Sequence, residues 1–216
     1  MAKTAKGCLV TLPPVGAGVA FGNAIPRLII FQFNPGSIDR TIEPQITKDP
    51  PIQFEGMAEE TIKFKADFDA TDYMADDSQE TEAEMAAVVG IGPQLAGLEL
   101  MASPDITAII KGAVAAKVGA IEIKKMSIPL TLFIWGTKVL PVKIITIGVT
   151  EQVFNRALVP IRAEVSIELQ VLSYGDFTDF KQPGPWIYGA HHAIKEVLSL
   201  SNSVYQINHM VDYYRK

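Results

Sequence analysis

A single cysteine, Cys8, leaves this 216-residue chain without an internal disulfide, which excludes a small secreted scaffold held together by cross-links. Histidine is almost as scarce. His191 and His192 are adjacent, so on a helix their side chains point about 100° apart and do not chelate one ion from one face; His209 stands apart from both. The acids Asp67, Asp69 and Asp72 lack the Asp-x-Asp-x-Asp-Gly spacing and distal glutamate that close a calcium loop. No serine lies in Gly-x-Ser-x-Gly, and the stretch from Gly90 to Gly97 lacks the Gly-Lys-Ser/Thr ending that sets a lysine on phosphate. No metal, no cofactor and no enzymatic role are therefore expected.

Clustered positive charge is missing too. The net charge is −5 and the only tight basic pair is Lys124-Lys125, so a nucleic-acid partner is not expected. Long apolar runs are absent as well. The Ala/Gly/Val-rich stretch from Met85 to Gly119 is broken by Gly92-Pro93 and Ser103-Pro104-Asp105 and carries Glu99, Lys111 and Lys117, whereas a membrane span needs about 20 uninterrupted apolar residues. Near the N-terminus, Leu9 to Phe21 loosely imitates a signal peptide, but Pro13-Pro14 breaks it, and Gly7-Cys8 precedes the apolar run where a lipoprotein cysteine would follow it. Cytoplasmic synthesis without a signal peptide is the expectation.

What the chain does have is period-two alternation. Ile161, Ala163, Val165, Ile167, Leu169 and Val171 alternate with Arg162, Glu164, Ser166, Glu168 and Gln170, which predicts a strand with one wet face. Ile62, Phe64, Ala66 and Phe68 alternate in the same way with Lys63, Lys65, Asp67 and Asp69. A strand is expected from Leu28 to Phe33, stopped by Asn34-Pro35-Gly36, and another ending in Phe133-Ile134-Trp135-Gly136, with Trp135 packing at the strand end and Gly136 letting the chain turn. Val139 to Val153 is continuously apolar and β-branched, with a bulge or bend expected near Gly148. The short Asn155-Arg156-Ala157 connection implies antiparallel neighbours.

Helical signals are confined to two regions. Thr81-Glu82-Ala83-Glu84-Met85 reads as a helix start, followed to Gly119 by two short core helices or by apolar surface meant for a neighbouring subunit. Gly175 to Gly189, with Pro183-Gly184-Pro185, reads as a linker or wrapped loop. Beyond it, Ala190 to Tyr214 is predicted helical, with Ile194, Val197, Leu200, Val204, Ile207, Val211 and Tyr214 forming one apolar stripe that docks on its own domain or on another chain. Trp186, Tyr188, Tyr205, Tyr213 and Tyr214 offer large contact areas in either case.

Four blocks taken in order carry a resemblance: Phe31-Gln32-Phe33-Asn34-Pro35, Ile62 to Asp72, Leu132 to Gly136, and Pro160 to Val165. Together they resemble the tube-domain family of contractile injection systems, phage-tail-like particles in which a contracting sheath drives an inner tube through an envelope. The resemblance covers roughly residues 25–175. It implies an α+β, mainly antiparallel β fold, a tail-tube-like β-sandwich or barrel with flanking helices, assembling as a six-fold ring. Phe31, Phe33, Asn34, Pro35, Phe64, Phe68, Trp135 and Gly136 are its motif residues. Longer members carry a C-terminal LysM module; no such pattern follows residue 175 here, so glycan binding is not carried over.

The expected organisation is an N-terminal extension (1–24), a tail-tube-like domain (25–175) with a helical insertion at about 83–119, and a linker with a C-terminal amphipathic helix (176–216). The leading expectation is a baseplate hub joining the inner tube to the spike, with the inner tube protein, the spike protein, sheath or baseplate proteins and other copies of itself as partners. The repeating tube subunit is the close alternative, and a monomeric β-barrel binding a small apolar ligand is the alternative of another class. Candidate subunit-interface residues are Arg162, Glu164, Trp186, Tyr188, Val204 and Val211.

Overall fold

A computed structural model describes residues 5–12, 27–74, 86–103 and 129–214. Seven strands form one antiparallel sheet: β1 (Cys8–Leu12), β2 (Arg27–Ile30), β3 (Ile38–Glu43), β4 (Glu59–Asp69), β5 (Leu130–Trp135), β6 (Lys138–Phe154) and β7 (Pro160–Val171). Their spatial order is β2-β1-β5-β6-β7-β4-β3. Among the described residues, helices α1 (Thr71–Met74), α2 (Gly92–Met101) and α3 (Pro183–Tyr214) accompany them, with a further helical stretch at 86–89. The fold is thus α+β and mainly antiparallel β.

The alternating runs become strands because each places its apolar side chains on one face. On β7, Ala163, Val165, Ile167, Leu169 and Val171 are buried; on β4, Ile62, Phe64, Ala66 and Phe68 are buried beside them. Two-strand periodicity with one face removed from water also fixes the register, since a slip of one residue would turn the whole apolar set outward. β5 and β6 are joined by the tight turn Gly136-Thr137, with Trp135 paired to Lys138. Gly136 has φ +60°, a conformation that an L side chain adopts only with strain.

Four sequence expectations need correction. Residues 8–12 belong to no extension: β1 lies inside the sheet, paired to β2 on one side and β5 on the other. The strand expected to reach Phe33 ends at Ile30; Phe31 still donates its N–H to Gly7 O at 2.9 Å, and the side chains after it turn to a different task. Gly148 is no bulge. It pairs in register with Ser166, whose hydroxyl donates to Gly148 O at 3.3 Å; the irregularities fall at Ile144/Thr146, Glu151/Val153 and Val153/Phe154. Gly92-Pro93 and Pro183-Gly184-Pro185, taken as breaks, open helices instead, since proline in a first turn gives up an N–H that has no intrahelical acceptor there.

Helix α2 covers one part of the sheet with Leu95, Leu98 and Met101, seating Gly97 against Ile29 of β2. Ile91, just before it, is fully buried and donates its N–H to Pro160 O at 3.0 Å, tying the helix to the start of β7. The expected helix start at 81–85 lies outside the described residues, as does the stretch 104–119; residues 86–89 are helical just before α2, with Ala86 buried.

Candidate assembly surfaces

The first motif block works as a clasp. Phe31 is fully buried and meets Phe64 edge-on, with ring centroids 5.2 Å apart; Phe64 stacks on Phe133 at 5.6 Å, and Phe133 on Trp135 at 6.3 Å. Gln32 donates through Nε2 to Asp69 O at 2.7 Å and accepts from Asp69 N–H through Oε1 at 2.7 Å. β3 pairs with β4 only as far as Phe64, so the Gln32 amide takes the place of a neighbouring strand at the end of β4. Asn34 does the same for the segment before β1, accepting from Gly7 N–H at 3.0 Å and donating to Ala5 O at 2.8 Å. Phe33 points outward, part-exposed beneath the Lys6 ammonium at 5.9 Å. Pro35, part-exposed, follows Asn34 and directs the chain toward β3.

Trp135 is half-buried, and its ring lies over Gly7 so closely that a Cβ at residue 7 would overlap it. Phe68, 1% exposed, belongs to the same core. Three of the four blocks, separated in sequence by tens of residues, are therefore brought together in one joint that links β1, β2, β4 and β5, while the fourth lies on β7, where Arg162 and Ala163 pair with Asp69 and Phe68 of the second. Gln32 escaped notice as a functional residue within its own block. Its amide between two phenylalanines was the available signal.

The wet face of β4 and β7 is laced with charge. Lys65 Nζ meets Glu164 Oε1 at 2.8 Å, which relieves Asp67 and Glu164 facing each other in register; Lys63 meets Glu168 at 3.1 Å. Arg162 pairs in register with Asp69, its Nε 3.8 Å from Oδ2, and keeps half of its side chain exposed. The Asp69 carboxyl is held below its ordinary value, first by the Thr71 hydroxyl and only last by the Arg162 charge, with slight burial opposing. A groove on this face is lined by the charged and polar side chains Asp39, Lys63, Lys65, Asp67 and Glu168 together with the apolar Phe64 and Ile167.

Helix α3 splits in two. Its first turns bury Gly184, Pro185, Tyr188 and His191 against the sheet, and Lys195 Nζ reaches Glu60 Oε2 at 3.1 Å. Glu60 sits at the core-facing start of β4, 5% exposed, and also accepts from Arg40 of β3 through a charge-assisted pair. Burial alone would raise its carboxyl; the hydrogen bonds from Arg40 and Lys195 more than offset this and hold it below the ordinary range. His191 is lowered as well, by burial first and then by the Lys195 charge, and among the described residues its Nε2 has no hydrogen-bond partner.

The docking face is therefore not the predicted stripe. From Glu196 to Ile207 every side chain is exposed, because the sheet supports only the first turns of a 32-residue helix. Val204, 61% exposed, lies on this outer half, whereas the Val211 side chain lies outside those described, as do those of His209, Tyr213 and Tyr214. Trp186 is exposed with its indole N–H given to Phe180 O at 2.9 Å. Tyr188 differs from the other interface candidates: it is covered within the chain, edge-on to Tyr174 at 5.2 Å.

One surface went unread in the sequence. Residues 44–58 form an irregular arm off the edge strand β3, bridged at Ile46 and Phe54 and held by Thr47 N–H to Gln53 O and Glu55 N–H to Gln45 O, each 2.9 Å. Ile42, Ile46, Ile52 and Phe54 on or beside it are exposed, Phe54 to 80%. Apolar residues flanking Pro50-Pro51 were the signal. No protein-family model matches the chain, and no curated protein matches it.

Among the described residues no helix is long and apolar enough to cross a membrane.

Proposed function

We propose that the chain is a structural subunit of a contractile injection system, a baseplate hub protein that forms a six-fold ring joining the inner tube to the spike. The observation that carries this reading is the convergence of three of the ordered sequence blocks on one joint, where Phe31, Phe64, Phe133 and Trp135 pack in series and Gln32 holds the end of β4, with the fourth block paired to the second along β7. Blocks spread over the chain and tied to one architectural joint fit a shared scaffold better than a chance similarity of alternating strands.

Two further features support a ring. Among the described residues, edge strands β2 and β3 each lack a neighbour on one side, and β6 has none beyond Val142 on the side that β5 occupies. Open edges of this kind are hazards in a monomer and joints in a closed assembly. Apolar side chains cluster beside them, on the arm at 42–54 and at Val153, Phe154 and Leu158. Helix α3 favours the hub over the repeating tube subunit, because an outer half carrying exposed apolar side chains is surplus to stacking identical rings.

Arg162, exposed on the wet face and only loosely paired to Asp69, is a subunit or partner contact, with Glu164 beside it. Co-expression with the inner tube and spike proteins of a contractile injection system from the same producer tests the reading. The wild-type chain is expected in a complex with both, and Arg162→Ala is expected to fold with stability within about 0.5 kcal/mol of wild type, as for other exposed ion pairs, while weakening that complex. A wild-type chain that stays monomeric beside both proteins contradicts it.

A further inference from the structure

The outer half of α3 is an apolar surface that its own sheet leaves uncovered. Val197, Leu200, Val204 and Ile207 follow one another at steps of three, four and three, and all are exposed by 59–67%. In sequence, Val211 and Tyr214 continue the same alternation. Strict three-four alternation is a 3.5-residue repeat, the seam of a supercoil; the stripe of a helix lying on a sheet follows the helix's own 3.6-residue period and drifts off such a seam. Val197, Val204 and Val211 fill the first seam position with β-branched residues, the choice that favours two parallel strands when leucine stands at the second, as Leu200 does; Ile207 and Tyr214 follow it there.

We propose that the outer half of α3 pairs in parallel with the same helix of a second copy of this chain. Three observations single out that occupant. A seam needs a partner with the same repeat in the same register, which a second copy supplies by symmetry. Residues 197–211 contain no Asp, Glu, Lys or Arg, so two copies lie side by side without like charges meeting, and Glu196 on the flank faces Ser201 of the second copy. The flanking hydroxyls are already satisfied: Ser201 Oγ donates to Val197 O at 3.0 Å and Ser203 Oγ to Ser199 O at 2.9 Å. Closing a second helix over them strands no polar group, so these flanks are suited to burial.

The pairing stands apart from the ring reading, which rests on the sheet. Its seam is short, so a weak, concentration-dependent equilibrium is expected in the free chain, strengthened wherever other contacts bring copies together. The test uses the full chain in sedimentation velocity over a concentration series, wild type against Val204→Asp/Ile207→Asp, with circular dichroism as the check on folding. Because both side chains are exposed within their own chain, the double variant is expected to keep its fold and to lose at least tenfold in association. Leu200→Cys in a Cys8→Ser background, oxidised, is expected to form a disulfide-linked dimer, since in a parallel pair each residue at that position meets its own counterpart. Association unchanged in the double variant, association absent from the wild type at every concentration, or no Leu200→Cys cross-link would each overturn the pairing. Loss of tube and spike binding with the helix pair intact would instead count against the ring reading alone.

Discussion

Two amides and a glycine carry more of this fold than any charged residue. Gln32 satisfies both the N–H and the C=O of Asp69, so Gln32→Ala leaves two part-buried backbone groups unpaired, and a loss of about 1–3 kcal/mol in denaturant unfolding is expected. Gln32→Glu is expected to do little better, since a carboxylate cannot donate to Asp69 O. Gly7→Ala drives a methyl into the Trp135 ring and is expected to cost about 1–3 kcal/mol as overpacking. Trp135→Ala opens that space, so the Gly7→Ala penalty should nearly vanish in the double variant; additive penalties would show that the two residues do not share the contact. Because Trp135 is only half-buried, its truncation alone should fall below the roughly 3–5 kcal/mol of a fully enclosed ring. Leu158 has φ +61° and is 81% exposed, so Leu158→Gly relieves backbone strain without losing packing, and a rise in melting temperature is the expected outcome.

At the scale of elements, the long alternating strands were legible from sequence and the short or hybrid elements were not. β4 and β7 announce themselves because every second residue is apolar for the length of the strand. β1 has five residues, its inner positions are Leu9 and Thr11, and Pro13-Pro14 follows it, so nothing in that pattern signals a central strand. The stripe of α3 was legible as a stripe but not in its destination, because the docked face depends on Tyr188, His191 and Lys195, which look polar or mixed in a helical wheel. That docking is pH-sensitive. Glu60 and His191 both have lowered values in the folded chain, so each contributes stability that is complete above its ordinary value and is lost as pH falls through its folded one. Acidification is thus expected to loosen α3 in two stages, His191 in the histidine range and Glu60 in the carboxylate range, seen as loss of the near-ultraviolet signal of Tyr188 and Tyr174. His191→Asn should remove the first stage, and Glu60→Gln the second while lowering stability at neutral pH.

Over the whole molecule, the charges pair internally across the wet face while the apolar surplus gathers at the arm, the far end of β6 and the outer half of α3. A monomeric ligand-binding barrel would invert that distribution, gathering its apolar side chains around a cavity and keeping its edges polar. The proposed subunit instead leaves its sticky surfaces at the places where copies and neighbours arrive. The strands that carry the aromatic joint were legible in sequence from their alternation, whereas the arm was illegible, because its apolar residues sit in a proline-rich connection without periodicity. The most direct measurement is electron microscopy of purified particles from the native producer, with the chain located by a fused tag or fitted density. One six-fold ring of this chain between the inner tube and the spike is the predicted result, and particles that assemble in full without it, or carry it along the whole tube, would contradict the hub assignment.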